Sequence, residues 1–434
     1  MKIVTIIAVS AATLALLVTS PSVGRWGRGL EAAYAQSGSD ADHPAPSAGG
    51  QRRPVRHTLA ELGSPRTVYT MPAQFTKILA TIPGGPIAPC SELSDPYPEF
   101  NGIALDPKAG IVVMSDTNLK SALIYSTDVK ANPSDPDVTP YKAWVKGPDT
   151  FLSFAAGVAV DPVRHEFYTT ENDVGDDVAA FPYSASGDYA SRVLAVPHGS
   201  YGIAISQHYK QIAVAIQHNA EIIFYRVQAK GADRPLRSIR GPRTGLADPH
   251  GVVWDEPNRE IFVSNYGNWN QGYWDPDYMG GGHYYPPSIR VFRDDDEGDA
   301  TPVRVISGPK TQFNWPTGIA VDDSHGELFV ANEAGNQVLV FPRNANGDVA
   351  PIRVLGGPHT AIRQPMGVAY DPVHDQIWVA NFGHNAEVFD RTQEGDVEPR
   401  KIVRNAPEGS PAAGFGNPMA LGYDSKRDQL LVPN

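Results

Sequence analysis

A short pattern of polar, small and apolar positions recurs along most of the chain. The first six copies consist of one residue, then Gly, then Ile or Val, a small residue, an apolar residue and usually Asp, and the seventh has Ala420 and Leu421 at the second and third positions. The residue that opens each copy is, in order, Asn101, Ala156, Tyr201, His250, Thr317, Met366 and Met419. These seven copies lie mostly about fifty residues apart, and a period of that length indicates that each copy opens one repeated supersecondary unit.

The copy at Gly318 shows what one repeat contains. A small-residue segment at 318–321 is followed by a turn, and apolar segments at 327–331, 337–341 and 351–355 predict three further strands. Asn-Gly-Asp at 346–348 is a hairpin signal between the last two segments. We name the four strands a to d and expect strand a at the crowded centre, and strand d at the outer edge, of a propeller blade.

The repeats predict an all-β, seven-bladed β-propeller over residues 66–434. The seventh copy ends after its second strand, and segments 67–71 and 76–82 resemble the missing strands c and d. Pairing these N-terminal strands with the C-terminal ones would close the last blade without leaving open sheet edges. A six-bladed ring, with residues 66–86 or one weak repeat outside it, is the alternative.

The N-terminal residues resemble an export signal. Lys2 precedes an almost wholly apolar segment at 3–19, and Ala33-Tyr34-Ala35 offers a cleavage site of small residues. We therefore assign residues 1–35 to a signal peptide and 36–65, rich in Ser, Gly and Pro, to a flexible linker. This organisation predicts a secreted or periplasmic protein, associated with a membrane only if the N-terminal segment stays uncleaved.

Composition supports the repeat interpretation and excludes some partners. The 434 residues include 41 Gly and 39 Pro, which fits many short strands joined by tight turns. A formal net charge of -12 disfavours nucleic acid as a partner, because the phosphate backbone repels an acidic protein. Cys90 is the only cysteine, so no intrachain disulfide and no cysteine-based zinc or haem motif exists. We expect a monomer.

Several phrases resemble those of a known repeat group. Segments 318–322 (GIAVD), 328–332 (LFVAN) and 344–353 (NANGDVAPIR) are similar to bacterial exported NHL-type and YVTN-type propeller repeats. The resemblance covers roughly residues 66–434 and implies a propeller architecture. It implies no single function, because the group includes scaffolds, lyases and lactonases.

The d-to-a connections and the b-to-c loops should share one face of the ring, which we call the top face. The residue before each strand-a glycine forms a first ring there, and it includes Tyr201 and His250. Pro249-His250-Gly251-Val252 resembles the phrase with which the peptidylglycine amidating lyase, a related propeller, binds zinc. His250 is the only histidine in this ring, whereas a catalytic zinc usually has three protein ligands, so the ligand count argues against such a site.

A second ring lies fourteen residues after each strand-a glycine or its equivalent. Its members are Asp116, Glu171, Ile216, Asn265, Asn332, Asn381 and Asn434. All of these except Ile216 are acids or amides. Acid and amide side chains often end a strand by bonding back to loop backbone, as in an Asx turn. The alternative is a site for calcium or another divalent ion formed by Asp116, Glu171, Asn265 and Asn332. Gluconolactonase-type propellers hold one ion with a Glu, an Asn and an Asp, so this likeness implies suitable residue types here.

The b-to-c loop of the fourth blade is far longer than the others. It carries seven aromatic residues, Tyr266, Trp269, Tyr273, Trp274, Tyr278, Tyr284 and Tyr285. Aromatic rings interleaved with amides are typical of surfaces that bind sugars or peptides. The alternative is a loop that folds over the top face and buries its own rings.

These observations lead to two hypotheses about function. The first is an exported binding or protein-interaction scaffold for a protein or carbohydrate ligand, which uses Tyr201, His250, Tyr266, Trp269, Tyr273 and Trp274. The second is a lactonase-like hydrolase or lyase that uses a divalent metal at the mouth of the central channel. No serine-hydrolase elbow, zinc-protease motif or nucleotide-binding loop is present in the sequence.

Overall fold

The computed structural model describes residues 2–3, 96–130, 132, 134–269, 284–408, 410, 422–424, 426 and 429–431. Six four-stranded antiparallel sheets and the connections between their strands account for most of them, each sheet with the strand order a-b-c-d along the chain. We number these sheets as blades 1 to 6 in chain order. The fold is therefore an all-β propeller, as predicted.

The strands of the six blades occupy equivalent positions in each repeat. The a strands are Phe100–Asp106, Ala155–Asp161, Ser200–Ser206, Pro249–Asp255, Pro316–Asp322 and Pro365–Asp371. The b strands are Ile111–Asp116, Glu166–Glu171, Gln211–Ile216, Glu260–Asn265, Glu327–Asn332 and Gln376–Asn381. The c strands are Ser121–Ser126, Asp177–Pro182, Glu221–Arg226, Ser288–Arg293, Gln337–Pro342 and Asn385–Asp390. The d strands are Ala143–Lys146, Arg192–Ala195, Arg237–Arg240, Arg304–Ile306, Arg353–Gly356 and Lys401–Arg404.

The ring has six blades, so the prediction of seven was wrong and the stated alternative is the observed one. The strand-a glycine of blade 6, Gly367, packs against the backbone oxygen of Asn101 in blade 1, where an added Cβ would lie 2.9 Å from that oxygen. The same contact joins each earlier blade to the next, for example Gly318 to the oxygen of Met366. Every blade is complete from four consecutive strands, so no strand from the chain ends is needed to close the ring. The predicted closing segments at 67–71 and 76–82 lie outside the described residues.

Within the described residues, the seventh copy of the repeat phrase does not form a blade. Its strand Gly422–Asp424 pairs antiparallel with Gln429–Leu431, which in turn pairs parallel with Lys2–Ile3. This three-stranded sheet and the six blades fall into two separate compact units. The signal peptide and linker predicted for residues 1–65 lie outside the described residues, apart from Lys2 and Ile3.

Six apolar clusters hold the ring together, one at each joint between neighbouring blades. The cluster between blades 6 and 1, for instance, combines fully buried Trp378 with Phe100 and Met114. Each such large side chain contributes about 1.5–3 kcal/mol when it leaves water. The ring is thus closed by the same kind of packing that joins its other blades. Within the described part of the chain, no helix is long and apolar enough to cross a membrane.

The repeat phrase has a clear structural basis. The residue before the glycine and the glycine itself form a β-bulge in every strand a, because the pairing with strand b shifts register there. In blade 1 the amide freed by the bulge, that of Gly102, donates to Ser115 Oγ at 2.7 Å. The Asp that ends the phrase caps the a-to-b turn, since Asp106 Oδ1 accepts the amides of Lys108 and Ala109 at 3.1 Å.

The outer strands are also joined from blade to blade. The c-to-d connection of each of blades 2 to 6 runs beside strand d of the preceding blade and bridges it at Gly187, Gly231, Gly298, Gly347 and Gly395. These contacts cover the edge strands, which would otherwise offer unpaired backbone groups. The ring closes differently, through an antiparallel bridge between Val138 of blade 1 and Asn405 after blade 6.

Four of the joints carry an additional contact, which we call the aspartate staple. After strand d the chain forms a short 3-10 helix, at Pro148–Thr150, Pro242–Thr244, Pro309–Thr311 and Pro358–Thr360. A carboxylate of the next blade accepts the amide of the second residue of each helix, directly after its Pro, at 2.7 Å; these carboxylates belong to Asp188, Asp299, Asp348 and Asp396. The joint between blades 2 and 3 lacks this helix.

Candidate functional site

The top-face mouth of the central channel is filled by the first ring. Asn101, Tyr201, His250 and Met366 are all buried, with Tyr201 8% and His250 5% exposed. The hydroxyl of Tyr201 in blade 3 donates to Asn101 Oδ1 in blade 1 at 2.8 Å, so the two side chains meet across the channel. Below them the channel keeps a cavity of only ≈ 70 Å³. The first ring therefore closes the channel at this end.

A file of four stacked rings runs from the channel outward across blades 3 to 5. The ring centroids of Tyr201 and His250 are 4.3 Å apart, those of His250 and Tyr266 are 4.2 Å apart, and those of Tyr266 and Trp315 are 5.0 Å apart. The last two pairs are nearly parallel, at 15° and 24°. We call these four residues the aromatic file. Its inner members are buried, whereas Tyr266 and Trp315 are half-buried.

Hydrogen bonds fix His250 within the file. Its Nδ1 lies 3.1 Å from the backbone oxygen of Asp248, and its Nε2 lies 2.9 Å from Nε2 of Gln217. The ring therefore donates through Nδ1 and accepts the Gln217 amide at Nε2, which is the neutral form. Burial lowers the pKa of His250, although the nearby Asp248 carboxylate opposes that shift. His250 is a neutral, positioned side chain near pH 7.

Tyr266 is anchored by a buried carboxyl group that sequence reasoning missed. Its hydroxyl donates to Glu333 Oε2 at 2.6 Å. Burial raises the pKa of Glu333 to about 7, and the hydrogen bond from Tyr266 only partly offsets the burial. The aromatic file thus contacts a group that titrates near neutrality.

Glu333 belongs to a ring one residue beyond the predicted second ring. The members of this third ring are Thr117, Asn172, Gln217, Tyr266, Glu333 and Phe382. Several of them bond to one another or to the first ring, as when Asn172 Nδ2 donates to Gln217 Oε1 at 2.6 Å. Their shared position after strand b was visible in the sequence. Successive side chains of a strand point to opposite faces, and this alternation was the signal that could have identified them.

The predicted second ring is buried against its own blades. Asp116 Oδ1 accepts the Glu99 amide at 2.9 Å, and Glu171 Oε2 accepts the amides of Ser153 and Phe154 at 2.6 and 2.8 Å. Asn265 Oδ1 and Asn332 Oδ1 accept amides at 3.2 and 2.7 Å. These are hydrogen bonds from loop backbone to the side chain that ends strand b, as the Asx-turn explanation predicts. The divalent-ion site at Asp116, Glu171, Asn265 and Asn332 stays a prediction.

Blade 2 differs from the other blades in carrying two buried carboxyl groups at its top edge. Burial raises the pKa of Glu171 to about 7, against the hydrogen bonds from Ser153 and Phe154. Burial and the neighbouring Glu171 raise the pKa of Asp177 well above its ordinary value. The pair is therefore held at least partly protonated near neutral pH.

The long loop of blade 4 is described only at its two ends. Asn268–Trp269 pairs antiparallel with Tyr284–Tyr285 to form the base of a hairpin. The Tyr284 ring is 52% exposed and that of Tyr285 is half-buried. Tyr273, Trp274 and Tyr278 lie outside the described residues, as does the side chain of Trp269.

The opposite end of the channel is more open than the top face. A cavity of ≈ 360 Å³ lies where the a strands end and the a-to-b turns begin, and Val160, Trp254 and Asp323 are among its lining residues. Arg343 bonds to Asp255 at its rim at 2.6 Å. None of the candidate residues predicted from the sequence lies here.

Six blades surround a channel that is closed at its top-face end, and polar and aromatic side chains gather on that face. The protein therefore belongs to the class of β-propellers. An NHL repeat family model matches residues 313–341, which cover strands a to c of blade 5. Blade 5 of this β-propeller therefore contains an NHL-type repeat, and such a fold suits a general binding scaffold. No curated protein matches the chain.

Two solved structures are similar to this chain. One is a functionally unknown protein from Desulfotomaculum acetoxidans, 15% identical with a TM-score of 0.47, and the match covers 79% of this chain and 91% of that one. The other is hydrazine synthase from Kuenenia stuttgartiensis, 13% identical with a TM-score of 0.46, and the match covers 70% and 99% of the two chains.

Proposed function

We propose that this protein is an exported, non-catalytic binding scaffold that holds a carbohydrate chain on its top face. The observation that carries this proposal is the aromatic file, which ends at the half-buried rings of Tyr266 and Trp315. Flat aromatic faces stack on apolar faces of a ligand, and the surrounding amides and carboxyls supply directional hydrogen bonds. Export rests on the apolar N-terminal segment and its Ala33-Tyr34-Ala35 site.

The contacts within the file support preorganisation. Glu333 holds the Tyr266 hydroxyl at 2.6 Å, and Tyr266 stacks between His250 and Trp315. A binding surface whose rings are already fixed loses less side-chain freedom when a ligand arrives. The hairpin base at Asn268–Trp269 and Tyr284–Tyr285 follows Tyr266 along the chain and adds the exposed ring of Tyr284 to the top face.

Binding to a glycan array tests the proposal, with calorimetry on the best ligand. We expect Trp315→Ala to lower the affinity for that ligand by about tenfold or more. Losing one stacked ring costs about 0.5–1.5 kcal/mol beyond the lost contact area. The control is Tyr141→Ala, which removes a 42% exposed ring that contacts Tyr125 and Trp144 instead of the file. Equal affinities of the two variants for the ligand would contradict a role of the file. Binding of extended peptides, and of no glycan, would replace carbohydrate by protein as the partner.

The rival function is a divalent-metal-dependent hydrolase or lyase at the channel mouth. The buried carboxyl groups of Glu171 and Glu333 favour it, because a carboxyl whose pKa is raised to about 7 is typical of acid–base sites. This function predicts turnover of lactones or esters that a Glu171→Gln or Glu333→Gln variant loses. Full activity in both variants would remove these two groups from the mechanism.

A further inference from the structure

The connection between blades 2 and 3 departs from the pattern of its neighbours. It consists of residues 196–199, whereas the corresponding connection between blades 1 and 2 spans 147–154 and that between blades 3 and 4 spans 241–248. The 3-10 helix is missing, and a Pro-His-Gly phrase at 197–199 takes its place. This short connection brings His198 onto the top face between the b-to-c loops of blades 2 and 3.

Three side chains from three separate loops meet at this point. Asp173 comes from the b-to-c loop of blade 2, His198 from the short connection and His218 from the b-to-c loop of blade 3. One potential ligand atom from each lies within 4.8 Å of the other two. Asp173 Oδ1 and His218 Nε2 are 3.7 Å apart, and the rings of His198 and His218 are stacked with centroids 5.0 Å apart. All three side chains are exposed, so an ion from solution reaches them.

The local backbone is adapted to this meeting. Gly199 has φ +80, and a Cβ at this position would collide with the His218 ring. Asp173 adopts φ 55, a left-handed conformation that costs a non-glycine residue free energy. A glycine that admits the His218 ring and an Asp in a disfavoured conformation both place side chains of the same cluster.

A fourth residue supports the cluster from outside. His198 Nδ1 lies 2.9 Å from Asp176 Oδ1. Histidines that bind metals usually donate their second ring nitrogen to a carboxylate, which fixes the ring and its tautomer. Asp173 and Asp176 also make the surroundings negative, which favours a cation.

We propose that Asp173, His198 and His218 bind one divalent ion of the zinc class on the top face between blades 2 and 3. Two imidazoles and one carboxylate suit zinc, cobalt or nickel, whereas calcium and magnesium prefer oxygen ligands alone. Zinc bonds of about 2.0–2.2 Å require ligand atoms about 3.5 Å apart, so exposed side chains need to move by about 1 Å. Three protein ligands leave at least one coordination position to water or to an external ligand.

This site differs from the metal site predicted from the sequence. The second-ring residues Asp116, Glu171, Asn265 and Asn332 take no part in it, and neither does His250. The site also does not depend on the aromatic file, so its test needs no carbohydrate ligand.

Titration calorimetry of the untagged full chain with Zn²⁺ tests the proposal. We expect one equivalent to bind the wild-type protein, and we expect His198→Ala and His218→Ala each to weaken binding by about 100-fold or more. Co²⁺ should give a visible absorption band in the wild-type protein that both variants lose. The matched control is His359→Ala, since His359 is also exposed and pairs with a carboxylate, Asp396, at 2.6 Å. Unchanged Zn²⁺ affinity in His198→Ala and His218→Ala, or no binding by the wild-type protein, would overturn the proposal.

Asp176 provides a second readout that a structural role would not affect. We expect Asp176→Asn to lower Zn²⁺ affinity by about 10–100-fold while His198 is present, and to have no further effect in the His198→Ala background. An equal effect of Asp176→Asn in both backgrounds would show that it acts through folding rather than through His198. Thermal unfolding of each variant without metal establishes that the fold is retained.

Discussion

The joint between blades 2 and 3 and the joint between blades 4 and 5 share a core but differ at the rim. Both have an apolar cluster. At both, the glycine of one strand a packs on the backbone of strand a in the next blade. At the second joint, Asp348 of blade 5 caps the helix Pro309–Thr311, which follows blade 4, and so joins the outer edges of the two blades. At the first, the position of Asp348 is taken by Ala232, and the helix to be capped is absent.

This difference shows which parts of the repeat are shared by both joints and which parts vary between them. The glycine, the bulge and the apolar cluster recur at both joints because the ring cannot close without them. The staple is lost as a pair, carboxylate and helix together, and the metal-binding candidates His198 and His218 stand where it is lost. We infer that the core holds the joint and that the rim is free to vary.

The largest expected effect tests whether the two joints share the same core contact. Gly157→Ala in blade 2 and Gly251→Ala in blade 4 each push a Cβ against the backbone of the following blade. We expect each to lower the free energy of unfolding by about 3 kcal/mol, because neither backbone can move away without opening the joint. Urea denaturation measures both. A loss under 1 kcal/mol for one variant alone would mean that the cores differ as well as the rims.

The second prediction concerns Glu171, which stands in blade 2 where blades 4, 5 and 6 have Asn. Its pKa is raised to about 7 in the folded protein, above its ordinary value of 4.5, so the folded state binds more protons between these two pH values. Stability contributed by the protonated carboxyl is therefore complete below about pH 4.5 and falls as the pH rises to about 7. We expect Glu171→Gln to flatten this fall and to raise the free energy of unfolding at pH 8 by about 2 kcal/mol.

Denaturation curves at pH 5 and pH 8 separate this effect from a general change in packing. Glu171→Gln should match the wild-type protein at pH 5 and exceed it at pH 8. A variant that is less stable at both pH values would show that the Glu171 bonds to Ser153 and Phe154 require the carboxylate. The remaining slope would then belong to Asp177, whose pKa is also raised.

The sequence predicted the repeat and the top face but not the blade number or the clusters. The Gly phrase carries the fold because each glycine meets a backbone oxygen of the next blade, and this local constraint is visible in one repeat. The seventh copy ends in the same Asp, Asp424, but has Ala420 in place of the glycine, and its described strand pairs with Gln429–Leu431 in a separate sheet, so counting phrases overestimated the ring. Nothing in the sequence links His198 to Asp173 and His218, which are its neighbours in space because the connection at 196–199 is short.

The smallest expected effect tests the staple itself. Asp348→Ala removes the carboxylate that accepts the Lys310 amide at 2.7 Å, and so leaves the first turn of Pro309–Thr311 without its cap. Loss of a capping side chain costs about 1 kcal/mol, and exposure of this one to water keeps the effect at that level. The reciprocal variant, Ala232→Asp, restores the carboxylate where no helix amide exists to donate to it. We expect its unfolding free energy to stay within about 0.5 kcal/mol of the wild-type value, since surface substitutions away from specific contacts rarely exceed that. A clear stabilisation by Ala232→Asp would mean that residues 196–199 offer an amide to the new carboxylate, and the rim of this joint would then be a weakened staple rather than a released one.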